Sequence, residues 1–219
     1  MNLNEVDFQP ASAVQVVPYL RSSVKRAFDI TFAITVLLIT APLWALLVCL
    51  VAADGGPVFY AQRRVGQDGR IFRCWKFRTM EVNAEQRLHE LMLSDHRIAK
   101  EWQESQKLHD DPRVTKIGRW LRRTSVDELP QFINVLNGTM SVVGPRPFAQ
   151  DQIALYGRST LAKYLAAKPG LTGVWQVVAR HDTTFECRAR HDEYYFQRAS
   201  LWVDLSLVLK TPVAMLKGR

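Results

Sequence analysis

The chain has 219 residues, enough for one domain or for one domain with an anchor, and too few for several large domains. Its formal net charge of +8 fits anionic lipid head groups, phosphate-bearing substrates or nucleic acid, and does not choose among them. The three cysteines, at positions 49, 74 and 187, are too isolated for a CxxC metal pair or a disulfide framework, which is typical of a reducing cytosolic compartment.

The run of uncharged, mostly apolar residues from Ile30 to Ala53 is about 36 Å long as a helix, enough to cross a hydrocarbon layer of about 30 Å. Pro42, near its middle, removes a backbone donor and predicts a kink. Basic residues flank the run on both sides, so both flanks look cytoplasmic under the positive-inside rule. We therefore predict a re-entrant helix-break-helix hairpin, with Thr35 and Thr40 as candidate partners for the freed carbonyls. A kinked transmembrane helix is the alternative.

Two short extended segments are predicted between Val58 and Phe77. The pair Asp68-Gly69 between them predicts a tight hairpin turn. Lys76 and Arg78 alternate with Phe77 at the end of the second segment, so both side chains are expected on one face, directed toward a common site. A solvated basic edge is the alternative.

Apolar residues at helical spacing predict several helices after this hairpin. The segment Ile117–Arg123 mixes a tryptophan with arginines, which is typical of a helix in the lipid head-group zone and also of a basic surface helix. The other predicted elements are a helix from Met80 to about Leu108, helices at Ala149–Ala167, Phe185–Arg198 and Leu201–Leu216, and a strand at Leu171–Val178. The fold class is α+β, predominantly helical, with the membrane hairpin, interfacial amphipathic helices and a small β-hairpin.

Two adjacent carboxylates, Asp127 and Glu128, lie where a further helix is predicted to begin. Ser125 three residues before Glu128 fits a capping box, and Pro130 fits the first turn. Amides at a helix N-terminus attract phosphate oxygens and keep a carboxylate ionised. An ionised aspartate beside phosphate can act as a nucleophile or as a magnesium ligand. A purely structural cap is the alternative.

Blocks along almost the whole chain, from Lys25 to about Leu216, occur in the order of a known family. They are Lys25-Arg26 with Asp29, Pro42, Gln62–Gly69, Lys76–Met80, Leu121–Gln131, Ser141–Pro147, Lys168–Gly173 and Ser200–Leu205. On these blocks the chain resembles the monotopic bacterial phosphoglycosyl transferases, also called bacterial sugar transferases or polyprenyl-phosphate glycosyl-1-phosphate transferases. Ala41 and Arg63 depart from the family pattern, which often has serine and an acidic residue there.

The resemblance implies transfer of a sugar 1-phosphate from a nucleotide diphosphate sugar, usually a UDP-sugar, to membrane polyprenyl (undecaprenyl) phosphate, with release of UMP. This reaction would be the first membrane step in making a surface glycan such as an exopolysaccharide, capsule, O-antigen or glycoprotein. Asp127 matches the family nucleophile, which forms a covalent phosphosugar intermediate. Glu128 matches the neighbouring acid associated with Mg²⁺, and both carboxylates are metal-ligand candidates.

The resemblance also implies a domain organisation and a location. Residues 1–24 are expected to form a leader, residues 25–53 the re-entrant hairpin broken at Pro42, and residues 54–219 a membrane-associated catalytic domain. The protein is expected to be monotopic on the cytoplasmic face of the bacterial inner membrane. Expected partners are the nucleotide diphosphate sugar, the polyprenyl phosphate, membrane lipid and, in a homodimer, a second copy of the chain; nucleic acid is not expected.

Further residues are candidates for substrate or phosphate binding. Arg122 and Arg146 are our choices for phosphate contacts because cations offset the charge of a diphosphate, with lipid head groups as their alternative ligand. Arg64 lies in a family block whose purpose cannot be derived, and Asp192 resembles a family aspartate near the active-site wall. Two alternative functions remain open: a non-catalytic basic membrane module and a phosphohydrolase of lipid-linked phosphates.

Overall fold

The computed structural model of the chain describes residues 16–53, 55–105, 108–179 and 184–217. Residues 1–15 of the predicted leader lie outside them. The fold divides into two compact units. Unit 1 consists of Met1–Ala41, Ala61–Lys76 and Glu128–Arg219, and unit 2 of Pro42–Tyr60 and Phe77–Asp127. Helices predominate and strands are short, so the predicted α+β class is confirmed.

Helix α1, Ser23–Ala52, contains the long apolar run and is long and apolar enough to cross a membrane. Most residues of the apolar part of α1 are not buried, and Leu38 and Ile39 are 71% and 74% exposed. Pro42 lies inside this helix, which continues through it without interruption. The chain reversal that a re-entrant hairpin requires therefore stays a prediction.

Two threonines in α1 bind backbone carbonyls one turn back. The hydroxyl of Thr35 donates to the carbonyl of Thr31 at 2.9 Å, and that of Thr40 donates to Val36 at 2.7 Å. The carbonyl that loses its helical donor at Pro42 is that of residue 38, so these hydroxyls bind elsewhere. Hydroxyl bonds of this kind often bend a helix.

A buried ionic network fixes the start of α1 within unit 1. The Lys25 ammonium lies 3.2 Å from Asp29 Oδ1 and 2.6 Å from Asp204 Oδ2, and it donates to the carbonyl of Val143 at 3.0 Å. Asp204 also accepts a hydrogen bond from the hydroxyl of Tyr195 at 2.8 Å. Because breaking a buried pair leaves an uncompensated charge, this network holds the start of α1 to the rest of unit 1.

The predicted β-hairpin is confirmed. Strands β1, Phe59–Val65, and β2, Ile71–Phe77, form a two-stranded sheet joined by a single 3-10 turn, Gln67–Gly69. Asp68 and Gly69 both have positive φ, 56° and 73°, as a tight turn requires.

The core of unit 1 surrounds a second, parallel sheet that the sequence did not predict. Strand β3, Ser141–Val143, pairs with β4, Gly170–Thr172, in the register Ser141↔Gly170. Helices α5 to α9 of this unit are Gln131–Leu136, Arg158–Ala166, Val174–Val178, Phe185–Arg198 and Leu201–Lys217. The last two confirm their predicted positions.

Two elements of unit 1 differ from their predictions. The helix expected at Ala149–Ala167 is a 3-10 helix, Gln150–Leu155, followed by α6, because Tyr156 and Gly157 are extended and Gly157 caps α6. The strand expected at Leu171–Val178 ends at Thr172, because Gly173 is the N-cap of α7 and the residues after it are helical.

Besides the C-terminal part of α1, the described residues of unit 2 form the helices α2 (Ala84–Ser94), α3 (His96–Ser105) and α4 (Lys116–Thr124). One helix was predicted where α2 and α3 occur. Asp95 separates them because its backbone is extended and its carboxylate accepts the Arg97 amide at 2.8 Å, as an N-cap does.

Candidate active site

The two adjacent carboxylates lie in a short 3-10 helix, Val126–Glu128. Ser125 has φ 56° and ψ 17°, the left-handed conformation, and is the C-cap of α4, directly before this 3-10 helix. The capping box between Ser125 and Glu128 stays a prediction. Asp127 belongs to unit 2 and is buried, with 8% of its surface exposed, whereas Glu128 belongs to unit 1.

In unit 1, two cations converge on one carboxylate oxygen of Glu128. Lys76 Nζ lies 2.7 Å from Oε1 and Arg146 Nη2 lies 3.4 Å from the same atom. The three side chains come from β2, the turn after α4 and the loop after β3. Each is partly exposed, between 22% and 38%, so the group can be reached from solvent. The structure thus brings together three residues that the sequence selected separately.

The surroundings of this group are positively charged. Arg64 lies close enough to Arg146 for their charges to interact; burial lowers the pKa of Arg64, the Cys74 thiol opposes that effect, and Arg146 lowers the pKa further. The guanidinium of Arg64 also donates to the side chain of Gln62 at 2.6 Å. Such excess positive charge near Glu128 favours a phosphate-bearing ligand.

Cys74 is a neighbour of this site that the sequence analysis did not select. It lies on the same face of β2 as Lys76, two residues away, and is 2% exposed. Burial raises the pKa of its thiol to about 11, with Glu128 in the same direction and Lys76 opposing. The thiol is therefore protonated at neutral pH and does not compete with a carboxylate as nucleophile.

The loop that carries Arg146 is fixed by backbone packing between β3 and β4. The Gly144 amide donates to Thr172 at 2.9 Å, and the Gly170 amide donates to the carbonyl of Pro145 at 2.8 Å. A Cβ on Gly170 would lie 2.1 Å from the Gly144 nitrogen, so only glycine permits this approach. The sequence blocks Ser141–Pro147 and Lys168–Gly173 therefore pack against each other, and their contact fixes the backbone next to Arg146.

Asp192 lies on α8 in a buried cluster rather than in the group around Glu128. It is 2% exposed, and its Oδ2 accepts the hydroxyl of Tyr156 at 3.0 Å and lies 3.8 Å from Arg188 Nε. Burial raises the pKa of Asp192 to about 6, while Arg188 opposes the rise. Arg188 was not among the predicted site residues, although side chains four positions apart on a helix are neighbours and the spacing to Asp192 therefore indicates an ion pair.

In unit 2, Arg122 and Arg78 have different surroundings. Arg122 is exposed near the end of α4, and its Nε donates to Thr79 Oγ1 at 2.9 Å. Arg78 is buried, and its guanidinium donates to three backbone carbonyls at 2.6 to 3.1 Å, those of Pro57, Met80 and Val51. These contacts give Arg78 a structural role that the sequence did not predict, and its contact with phosphate stays a prediction.

The site that Lys76 and Arg78 are expected to share stays a prediction. β2 ends at Phe77, and the Arg78 amide bonds to the carbonyl of Val58 at 2.9 Å. Lys76 contacts a carboxylate of unit 1, whereas Arg78 contacts carbonyls of unit 2.

The residue types at positions 127 and 128 are chemically suited to the predicted Mg²⁺, because carboxylate oxygens are donors that this ion prefers. Within residues 16–53, 55–105, 108–179 and 184–217, no group of three or more His, Cys, Asp or Glu side chains is placed to hold a metal. Mg²⁺ is usually bound by one or two carboxylates together with substrate phosphates and water. Binding of Mg²⁺ by Asp127 and Glu128 stays a prediction.

Comparisons with known proteins identify the family. The family model described as bacterial sugar transferase matches residues 20–218. The chain is 44% identical over 88% of its length to the undecaprenyl-phosphate galactose phosphotransferase of Salmonella typhimurium, and it spans 40% of that longer protein. It is 45% identical over 89% of its length to the exopolysaccharide production protein ExoY of Sinorhizobium fredii, of which it covers 86%.

A third relative, the UDP-glucose:undecaprenyl-phosphate glucose-1-phosphate transferase of Escherichia coli, is 39% identical over 85% of this chain, with 39% of its own length covered. These relatives confirm the predicted enzyme class, a transferase. The family match covers most of the chain and includes the residues around Asp127 and Glu128. The chain therefore belongs to the bacterial sugar transferase family.

Proposed function

We propose that the protein transfers a sugar 1-phosphate from a UDP-sugar to undecaprenyl phosphate. The observation that carries this proposal is the arrangement at Glu128, where Lys76 and Arg146 converge on a carboxylate next in sequence to the buried Asp127. Cations gathered at this carboxylate would offset the negative charge of a diphosphate during displacement at phosphorus. The names of two relatives, an undecaprenyl-phosphate galactose phosphotransferase and a UDP-glucose:undecaprenyl-phosphate glucose-1-phosphate transferase, support undecaprenyl phosphate as acceptor, and the second supports a UDP-sugar donor.

The reaction has two displacements at one phosphorus. A carboxylate oxygen of Asp127 attacks the phosphorus that bears the sugar, the bond to the other phosphate breaks, and UMP leaves. The resulting sugar phosphate ester of Asp127 is attacked by an oxygen of undecaprenyl phosphate, which frees the carboxylate and forms the diphosphate-linked sugar. The path needs no water and no net proton transfer, and it divides one difficult step into two.

Positive charge is the main contribution of the neighbouring residues. Lys76 orients Glu128 through the 2.7 Å ion pair, and Arg146 reaches the diphosphate from the more exposed side of the same group. Arg64 adds positive charge behind Arg146, and Arg122, exposed near the end of α4, is proposed to contact the nucleotide phosphate.

Mg²⁺, held by Asp127 and Glu128 together with the diphosphate, would neutralise the charge that develops on the leaving phosphate. We expect EDTA to abolish UMP release and added Mg²⁺ to restore it. UMP release that persists in EDTA would remove the metal from the proposal.

We propose that α1 forms a re-entrant hairpin bent at Pro42 and that the protein is monotopic on the cytoplasmic face of the inner membrane. The hydroxyl bonds of Thr35 and Thr40, which lie just before Pro42, support a bend because such bonds often bend helices. Tags placed at Met1 and Arg219 should both be inaccessible from outside intact cells. A tag at one end that is labelled from outside would mean that α1 spans the bilayer.

The test of the function is UMP release by the purified protein in detergent with Mg²⁺, undecaprenyl phosphate and a panel of UDP-sugars. We expect one or a few donors to give UMP together with a lipid diphosphate sugar. Release of free phosphate or free sugar 1-phosphate would indicate the alternative phosphohydrolase. Salt-sensitive lipid binding without any turnover would indicate the non-catalytic basic module.

A further inference from the structure

The side chain of Arg188 is buried and surrounded by aromatic rings. It is 7% exposed, and its guanidinium carbon lies 5.5 to 5.9 Å from four ring centroids, those of Phe148, Tyr156, Trp175 and Phe185. An arginine in such surroundings is held by cation–π attraction on several sides. Its position is therefore narrowly defined, and the groups that it binds are defined with it.

Arg188 connects α8 to the loop that carries Arg146. One terminal nitrogen of Arg188 donates to the main-chain carbonyl of Arg146. The guanidinium also packs on the ring of Phe148, two residues further along the same loop. The other end of the loop is fixed by the amide bonds between Gly144 and β4, so the Arg188 contact supplies the second point of attachment.

Asp192 and Tyr156 are further neighbours of Arg188. Asp192 Oδ2 lies 3.8 Å from Arg188 Nε, and the same oxygen accepts the Tyr156 hydroxyl at 3.0 Å. The Nε itself is buried without a hydrogen-bond partner, so its charge is balanced by the nearby carboxylate rather than by a direct hydrogen bond. Such a buried cation is retained at a cost, which a structural role alone does not require.

We propose that Arg188 is a positioning residue, which fixes the main chain at Arg146 and so directs the Arg146 side chain to Glu128. The proposal rests on the proposed function for its kinetic part. It also gives Asp192 an indirect role, two contacts away from Arg146, and its place near the active-site wall, which the resemblance implies, stays a prediction. A displacement of a catalytic group by about 1 Å can reduce a rate about a hundredfold, so a remote contact of this kind is important for turnover.

A double-mutant cycle tests the kinetic part. We expect Arg188→Met, which keeps an apolar side chain inside the aromatic rings, to lower kcat/KM for the donor at least tenfold. In an Arg146→Ala background the same change should alter kcat/KM less than twofold, because Arg188 acts through Arg146. Losses that multiply in the double variant would overturn the proposal. If Arg188→Met does not fold, Tyr156→Phe replaces it in the same cycle with a smaller expected loss.

Hydrogen exchange of the peptide covering residues 144–149 provides a readout that does not depend on activity. We expect faster exchange of this peptide in Arg188→Met than in wild type. Lys163→Met is the matched control, since it removes a cation that pairs with Glu193 of the same helix α8 and leaves the loop untouched. Unchanged exchange in Arg188→Met would overturn the proposal even if the wild-type protein releases no UMP, a result that would reject the proposed function separately.

Discussion

Replacement of Lys76 by methionine tests the most specific geometric feature of the candidate site. The ammonium lies 2.7 Å from Glu128 Oε1, closer than Arg146 at 3.4 Å, so it is the main partner of that oxygen. A hydrogen bond between charged groups contributes about 2 kcal/mol. If that free energy is realised in the transition state, kcat/KM falls about thirtyfold, since about 1.4 kcal/mol corresponds to a factor of ten.

The chain provides a closely matched control in Lys163→Met. The Lys163–Glu193 pair is exposed to a similar extent, 22% and 28% against 23% and 22% for Lys76–Glu128. Ion pairs that are this accessible contribute about 0 to 1 kcal/mol to stability, so the two variants should unfold at nearly the same temperature. UMP release from the donor, measured at several donor concentrations, separates them. Equal activity of the two variants would refute the role assigned to Lys76.

Three further variants test the structure away from Glu128. Burial holds the pKa of Asp192 at about 6, above its unfolded value of 3.8, so the folded state gains stability as pH falls from 7 toward 4. Thermal melts of the wild type should show about 3 kcal/mol of pH-dependent stability that Asp192→Asn lacks. Equal pH dependence in both proteins would contradict this. Gly170→Ala should destabilise unit 1 by about 2 kcal/mol because its Cβ would lie 2.1 Å from the Gly144 nitrogen, and an unchanged melting temperature would exclude that contact. Arg78→Met should lower the free energy of unfolding, measured in denaturant, by about 3 kcal/mol because it leaves buried carbonyls without donors. The control Arg123→Met, at an exposed position, should change it little. Equal losses in the two variants would argue against the structural role of Arg78.

Elements whose own residues carry a turn pair or a regular apolar spacing could be predicted from the sequence. The β-hairpin was predictable because Asp68-Gly69 is a turn pair between two extended segments, and α8 and α9 because apolar residues recur at helical spacing. The left-handed backbone of Ser125, which ends α4, was not predictable, because the pattern Ser-x-x-Glu describes only side-chain chemistry.

The candidate site was predictable as a set of residues but not as a set of contacts. Lys76 and Glu128 are 52 positions apart, and their ion pair depends on how β2 and the turn after α4 pack in unit 1. The contacts of Arg78 with three backbone carbonyls of unit 2 were not predictable for the same reason. The contacts of Arg188 could not be predicted for a related reason, because the aromatic rings around it and the carbonyl that it binds belong to other elements.

The covalent intermediate on Asp127 is the most direct test of the proposed chemistry. Wild-type protein is incubated with Mg²⁺ and a UDP-sugar that it accepts, without undecaprenyl phosphate, then quenched, digested and analysed by mass spectrometry. We predict that the peptide containing Asp127 gains the mass of the sugar phosphate on that carboxylate, that the adduct disappears when undecaprenyl phosphate is added, and that Asp127→Asn forms none. An unmodified Asp127 during normal turnover, or sustained UMP release by Asp127→Asn, would contradict the account.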